Sequence, residues 1–269
     1  MILFPSAKIN FGLNVLNKRK DGFHNLETCM FPIPLYDVLE ILPSSRFCFT
    51  QSGLDTDCLT KDNLCVRAYH LINDNYAIDP VYLHLQKNIP MGAGLGGGSS
   101  DAAYTLKALN QLFDLKIKNT ELSEMASFLG SDCAFFIDSS PKLCTSKGEI
   151  MSKVKIDLFG CYLKLIYPNI HVSTKQAYSN VKCHISKNNI KQDVENPIIM
   201  WKNTITNSFE QSVFQLHPIL SSIKQSLYDE GAIYASMTGS GSTLFGIYDK
   251  EPHKSFGLKK DYFEFICAI

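Results

Sequence analysis

The sequence predicts an α+β protein of two domains, a mixed α/β domain over residues 1–155 and a ferredoxin-like domain over residues 156–269. Three observations carry that expectation. A half-buried strand runs through a glycine-rich loop into a helix between residues 81 and 113. Beyond residue 160 the pattern becomes strand, helix, strand, strand, helix, strand. Finally, 269 residues that are 45% apolar can bury a core without disulfide or metal staples.

Each element has its own signal. Val81, Leu83 and Leu85 alternate with Tyr82, His84 and Gln86, the period of a strand with one face buried. Ser99, Ser100 and Asp101 offer capping side chains, and Ala102, Leu106, Leu109 and Phe113 recur at helical spacing, so a helix is expected to begin where the glycines stop. A second helix, about 121–129, carries Leu122, Met125, Ala126 and Leu129 and meets Gly130, a candidate left-handed cap. Further on, Tyr162 to Tyr167 reads as a strand. Pro218 can open a helix with Leu220, Ile223 and Leu227 on one face and Gly231 after its end. A strand over 232–237, a glycine turn, a strand over 243–248, a short helix near 252–260 and a last strand with Phe263 and Phe265 complete the ferredoxin-like order.

Composition narrows the function classes. With 26 Lys+Arg against 26 Asp+Glu the formal charge is zero, which speaks against a long polyanion as partner and requires any anionic ligand to be held locally. The nine cysteines are odd in number and contain no Cys-x-x-Cys pair. The first residues lack a signal-type apolar core, so reduced thiols, mostly small buried apolar residues, are expected in a cytoplasmic protein. No apolar run approaches the roughly 18 to 20 residues that cross a bilayer.

The most informative stretch is Pro90, Met91, Gly92, Ala93, Gly94, Leu95, Gly96, Gly97, Gly98, Ser99 and Ser100. Closely spaced glycines let the backbone approach a ligand and take positive φ, while successive N–H groups face one concavity; the helix that follows adds its unpaired first-turn N–H groups and the positive end of its dipole. The physical reading is a phosphate cradle. Gly92, Gly94 and Gly97 satisfy the spacing of a dinucleotide site, but the acidic residue that design wants after a second parallel strand has no place in a region that reads as two helices. A Gly-Lys-Ser/Thr phosphate loop fails, because Ser-Ser-Asp follows the glycines.

From Pro90 to Ala103 the chain resembles the phosphate loop of the GHMP kinase superfamily. Two further stretches are similar to that superfamily's other signatures, Ala7-Lys8-Ile9-Asn10-Phe11-Gly12-Leu13 and Met237-Thr238-Gly239-Ser240-Gly241-Ser242-Thr243. Within it, Gly-Gly-Gly-Ser-Ser-Asp-Ala-Ala, the segment Lys20 to Thr28 and Gly130-Ser131-Asp132-Cys133-Ala134-Phe135-Phe136 resemble the kinases of 4-diphosphocytidyl-2-C-methylerythritol, an ATP-dependent step of the non-mevalonate isoprenoid route. The resemblance implies that ATP phosphorylates the free 2-hydroxyl of the methylerythritol moiety, giving ADP and the 2-phosphate.

That resemblance also implies roles. Asp132 accepts the hydroxyl proton, and Lys8 polarises the hydroxyl and offsets charge on the transferred phosphoryl group; without the resemblance, Asp132 reads as a helix cap and Lys8 as a solvated lysine. The triphosphate lies on residues 90–100, with Mg²⁺ bridging its oxygens and Ser100 as a candidate support for that ion. Asn63 and Lys87 match positions near the adenine. Asn10 and Thr174 are candidates for the methylerythritol or its diphosphate, His24 for the cytosine edge, and Phe23 and Tyr178 for stacking on that base. Gly239, Ser240 and Gly241 form a glycine turn. Ser6, Phe23 and Ala134 depart from the usual Pro, Tyr and Pro. Loss of Pro at 134 frees the local φ and is expected to loosen Asp132. Two alternatives stay open: another GHMP kinase acting on homoserine or mevalonate, and a non-catalytic sensor of ATP and a metabolite. The expected partner is a small molecule and not a nucleic acid or a membrane, in a monomer or homodimer.

Overall fold

The computed structural model describes residues 1–55, 59–179, 181, 183, 189–253 and 261–269. In chain order the elements are β1 (Ile2–Leu3), β2 (Ser6–Lys18), β3 (His24–Tyr36), β4 (Val38–Pro43), β5 (Cys48–Gly53), α1 (Leu64–Tyr76), β6 (Val81–Lys87), α2 (Gly97–Leu112), α3 (Asn119–Leu129), α4 (Phe135–Asp138), β7 (Lys142–Ser146) and β8 (Ile150–Lys153). Then follow β9 (Tyr162–Tyr167), α5 (Thr174–Ser179), α6 (Ile190–Glu195), α7 (Trp201–Thr204), α8 (Glu210–Leu216), α9 (Pro218–Asp229), β10 (Tyr234–Met237), β11 (Leu244–Tyr248) and β12 (Phe263–Ala268). This is the α+β class expected from the sequence.

Contacts divide the chain into two compact units that interleave along it. The first comprises Met1–Lys8, Leu35–Met91 and Gly96–Ser140. Its sheet has the order β1-β4-β6-β5, antiparallel except for the parallel pair β5 and β6. The alternation in β6 sets its register: Leu83 lies opposite Ile41 and Leu85 opposite Leu39, all four buried. Helix α2 packs against α1, α3 and α4 and buries Ala102, Leu106 and Leu109 at the spacing read from the sequence.

The second unit comprises Ile9–Pro34, Gly92–Leu95 and Pro141–Ile269. One sheet has the order β2-β3-β7-β8; the other, β10-β11-β9-β12, is antiparallel throughout, which is the ferredoxin-like order. Helix α9 supplies Leu220, Ile223 and Leu227 to a core shared with Val15, Ile166, Val213, Met237 and Leu244. Phe11 centres an aromatic cluster, with Trp201 at 4.9 Å and Phe245 at 5.7 Å between ring centroids.

Three local expectations need correction. Helix α2 begins inside the glycines, at Gly97, with Gly96 as its cap at φ 73 and no side-chain cap bond. Glycine in the left-handed region closes the first turn by itself, the Ser100 N–H donating to the Gly96 carbonyl at 3.0 Å, so Ser99, Ser100 and Asp101 become helical residues. Gly130 has φ 178, extended backbone, and is no left-handed cap. The strand expected from 232 starts at Tyr234, after Gly231 and Ala232 close α9. The helix expected near 252–260 lies outside the described residues, apart from 252 and 253, which are irregular.

Cys29, Cys65, Cys133 and Cys144 are buried as expected, whereas Cys48, Cys161 and Cys267 are half-buried and Cys183 is exposed. Among the described residues no helix is long and apolar enough to cross a membrane.

Candidate active site

The glycine loop is built in two stretches, each braced by its own unit. In the second unit Gly94 stands at φ 80, and a Cβ on it would run into the Thr238 carbonyl oxygen. The Thr238 hydroxyl lies 3.2 Å from the Gly94 carbonyl and 3.2 Å from Asn10 Oδ1, while the Asn10 N–H donates to that hydroxyl at 3.0 Å. Asn10 Nδ2 donates to the Thr28 hydroxyl at 2.9 Å, which donates in turn to the Gly12 carbonyl at 2.6 Å. Asn10 is thus a buried bracket for the loop, reaching it through Thr238. The 237–243 turn is itself tied down, the Thr243 N–H donating to the Ala93 carbonyl at 3.3 Å. Gly94→Ala is expected to raise the KM for ATP more than about tenfold, because positive φ and the Thr238 carbonyl both oppose the methyl group. Unchanged nucleotide affinity by calorimetry would remove this stretch from phosphate binding.

In the first unit, Gly96 at φ 73 leaves room for the Lys8 side chain: a Cβ there would lie 3.1 Å from both Lys8 Cγ and Cε, and 3.0 Å from Phe136 Cζ. Lys8 is 3% exposed, not the solvated lysine its position in the sequence suggests. Its ammonium is 3.5 Å from Asp132 Oδ2, on a carboxylate side chain 31% exposed. Asp132 lies in the turn between α3 and α4. The cap of α4 is Ala134, with no side-chain cap bond, so the Asp132 carboxylate is not a helix cap. Ala134 has φ −62, the angle a proline would impose, so the turn that carries Asp132 keeps a proline-like shape without the ring. Cys133 beside it is buried, and that burial pushes its thiol up to about 11 against the opposing hydrogen bond from Ser99.

Ser100, in the first turn of α2, is fully buried, and its Oγ finds no hydrogen-bond partner among the described residues. A buried hydroxyl without a partner costs about 1–3 kcal/mol, a penalty relieved when a ligand reaches it. Among the described residues no cluster of three or more His, Cys, Asp or Glu side chains could cage a metal.

The two residues expected near the adenine have local partners. Asn63 caps α1, its Oδ1 accepting from the Cys65 N–H at 2.9 Å. Lys87 is 1% exposed, its ammonium donating to Asp37 and, at 2.8 Å, to Asp101. Burial holds the Asp101 carboxyl well above the usual carboxylate range, with the Lys87 charge pulling the other way.

The expected base-binding residues lie in the second unit. The His24 ring, at the start of β3, stacks on Tyr178 with centroids 5.0 Å apart and planes 24° apart. Tyr178 in turn meets the edge of Phe209 at 4.8 Å. Phe23 is 60% exposed under the Lys147 ammonium, 5.2 Å from the ring centroid. Thr174 begins α5 and is exposed. The hairpin that presents Phe23 and His24 is pinned by Arg19, which donates to Asn25 Oδ1 at 2.9 Å and to the Ser146 hydroxyl at 3.0 Å. Sequence reasoning missed Arg19, Lys147 and His171, whose Nδ1 would lie 2.7 Å from a Cβ on Gly92. Each stands in an irregular or turn segment where no periodicity marks it.

Residues 63–139 match the GHMP kinases N terminal domain and residues 194–257 the GHMP kinases C terminal domain. A 4-diphosphocytidyl-2-C-methyl-D-erythritol kinase of Cytophaga hutchinsonii is 47% identical over 253 residues, 94% of each chain. One of Parabacteroides distasonis is 46% identical, covering 98% of this chain and 97% of its own. A crystal structure of 4-(cytidine 5'-diphospho)-2C-methyl-D-erythritol kinase superposes with a TM-score of 0.80 at 30% identity, covering 91% of this chain and 89% of that one. The mevalonate kinase of Methanococcus jannaschii, at 15% identity and a TM-score of 0.73, shares the fold. By both domain matches and near-full-length identity, the chain belongs to the GHMP kinases and, within them, to the 4-diphosphocytidyl-2-C-methyl-D-erythritol kinase family.

Proposed function

We propose that the chain transfers the terminal phosphoryl group of ATP to the 2-hydroxyl of 4-diphosphocytidyl-2-C-methyl-D-erythritol, releasing ADP and the 2-phosphate, in the non-mevalonate route to isoprenoids. The observation that carries this reading is the Lys8–Asp132 pair, with the Lys8 stem laid along Gly96 at the head of the phosphate helix. Phosphoryl transfer to an alcohol needs positioning, charge stabilisation and a proton acceptor more than covalent chemistry. Asp132 is accessible enough to meet a hydroxyl and takes its proton. Lys8, held at 3.5 Å from that carboxylate, polarises the same hydroxyl and offsets charge on the phosphoryl group in flight. The loop N–H groups and the first turn of α2 bind the triphosphate. Mg²⁺, when bound with the nucleotide, neutralises phosphate charge, and the unpartnered Ser100 hydroxyl is the group of this chain suited to support it.

His24 and Tyr178 supply the face and ring nitrogens that recognise cytosine. His24→Ala is expected to raise the KM for the cytidyl substrate about tenfold, in line with ~1–3 kcal/mol for base stacking, with the KM for ATP unchanged. A rise in the ATP value instead would reverse the assignment of the two nucleotide pockets. The reading makes this a cytoplasmic enzyme acting on a dissolved metabolite, in keeping with cysteines such as Cys29, Cys65 and Cys133 that serve as small buried side chains. Turnover of ATP with the cytidyl substrate, homoserine and mevalonate offered in parallel tests the whole reading: activity confined to the first supports it. Activity on either of the others, or on none, overturns it.

A further inference from the structure

Lys87 ends β6 three residues before the glycine loop opens at Pro90, yet its ammonium points inward. It donates to Asp37, which sits between β3 and β4, and to Asp101 Oδ2 in α2 at 2.8 Å. Asp37 is fully buried, and its other oxygen accepts from the Asn88 and Ile89 N–H groups at 2.6 and 2.9 Å. A Cβ on Gly97 would lie 3.2 Å from Lys87 Nζ, so the ammonium rests under the first residue of α2. One cation therefore ties three places together: the chain entering β4, the chain leaving β6, and the helix whose N–H groups form half of the cradle. Residues 96–98 are all glycine and have no side chains of their own to hold their shape, so their order has to come from behind.

Resting on the ATP-dependent reading above, we propose that Lys87 is a positioning residue: clamped by Asp37 and Asp101, it fixes the first turns of α2 in the attitude that presents the cradle to a triphosphate, and it does not touch the nucleotide. At 1% exposure its Nζ could reach a ligand only by leaving both carboxylates. Removing the cation alone strands two buried carboxylates, whereas removing a cation and a partner together, with apolar side chains in their place, leaves Asp37 its backbone donors and is far better tolerated.

The test measures the Kd for ATP by calorimetry, together with Tm, for Lys87→Met, Asp101→Leu and the double variant; neither readout needs the acceptor, so a failure to phosphorylate the cytidyl substrate is told apart from a failure of this proposal. Lys87→Met is expected to lower Tm by ~10 °C and to raise the ATP Kd by about 10- to 100-fold. Asp101→Leu keeps the Lys87–Asp37 pair and is expected to raise the Kd several-fold, which keeps the proposal testable if Lys87→Met does not fold. The double variant is expected to recover most of both losses. A double variant with restored Tm that retains the full Kd defect of Lys87→Met would show that the ammonium contacts the nucleotide, and would overturn the proposal. Unchanged Kd in Lys87→Met, or in Asp101→Leu, overturns it as well.

Discussion

Asp132→Asn is expected to lower kcat by about 10²- to 10⁴-fold while the Kd for ATP stays within about twofold. Asparagine keeps the size of the side chain and the backbone turn, in which the Phe135 N–H donates to the Asp132 carbonyl at 3.2 Å, but it cannot accept the hydroxyl proton. The carboxylate caps no helix, so the substitution carries no cap penalty, although it leaves the buried Lys8 ammonium facing a neutral side chain. The loss should therefore appear in turnover, far out of proportion to the small fall in Tm expected from leaving Lys8 without its carboxylate. Pre-steady-state quench measurements separate the chemical step from product release. Near-wild-type single-turnover rates would remove Asp132 from proton transfer and leave it a neighbour of Lys8 only.

The glycine loop and its flanking elements were legible because their patterns are local. Val81, Leu83 and Leu85 alternate, the glycines concentrate within a few residues, and α2 shows its apolar stripe. Strand β2 is the opposite case. From Ser6 to Val15 every residue is buried, so both faces are covered, the alternation that marks a half-buried strand vanishes, and this 13-residue strand passed unread. The buried polar partners were illegible for a related reason. Nothing in the types or spacing of Asn10, Thr28 and Thr238 shows that Thr238 lies within reach of Asn10 across 228 positions of chain, or that Lys87 meets Asp37 from the far side of β4. Residue types marked the candidates. Which atoms serve the ligand and which brace the loop depends on three-dimensional pairing, which sequence spacing does not encode.

Lys8→Met should cost kcat about 10²- to 10³-fold, the scale set by loss of one preorganised charge at a developing oxyanion. Methionine follows the lysine stem closely enough to keep the contacts beside Gly96 and Phe136, so the cradle keeps its shape and the ATP Kd should rise less than about threefold. The more decisive measurement is the double variant Lys8→Met with Asp132→Asn. If the two groups act on one hydroxyl, as their 3.5 Å separation and shared place beside α2 suggest, their effects cannot multiply. Once the proton acceptor is gone, polarising the hydroxyl brings little further gain, and the double variant should fall no more than about tenfold below the weaker single variant. Independent roles predict the product of the two losses, ~10⁴-fold or more. A fully multiplicative double variant would place Lys8 on the phosphoryl group alone, with Asp132 acting on the acceptor without it.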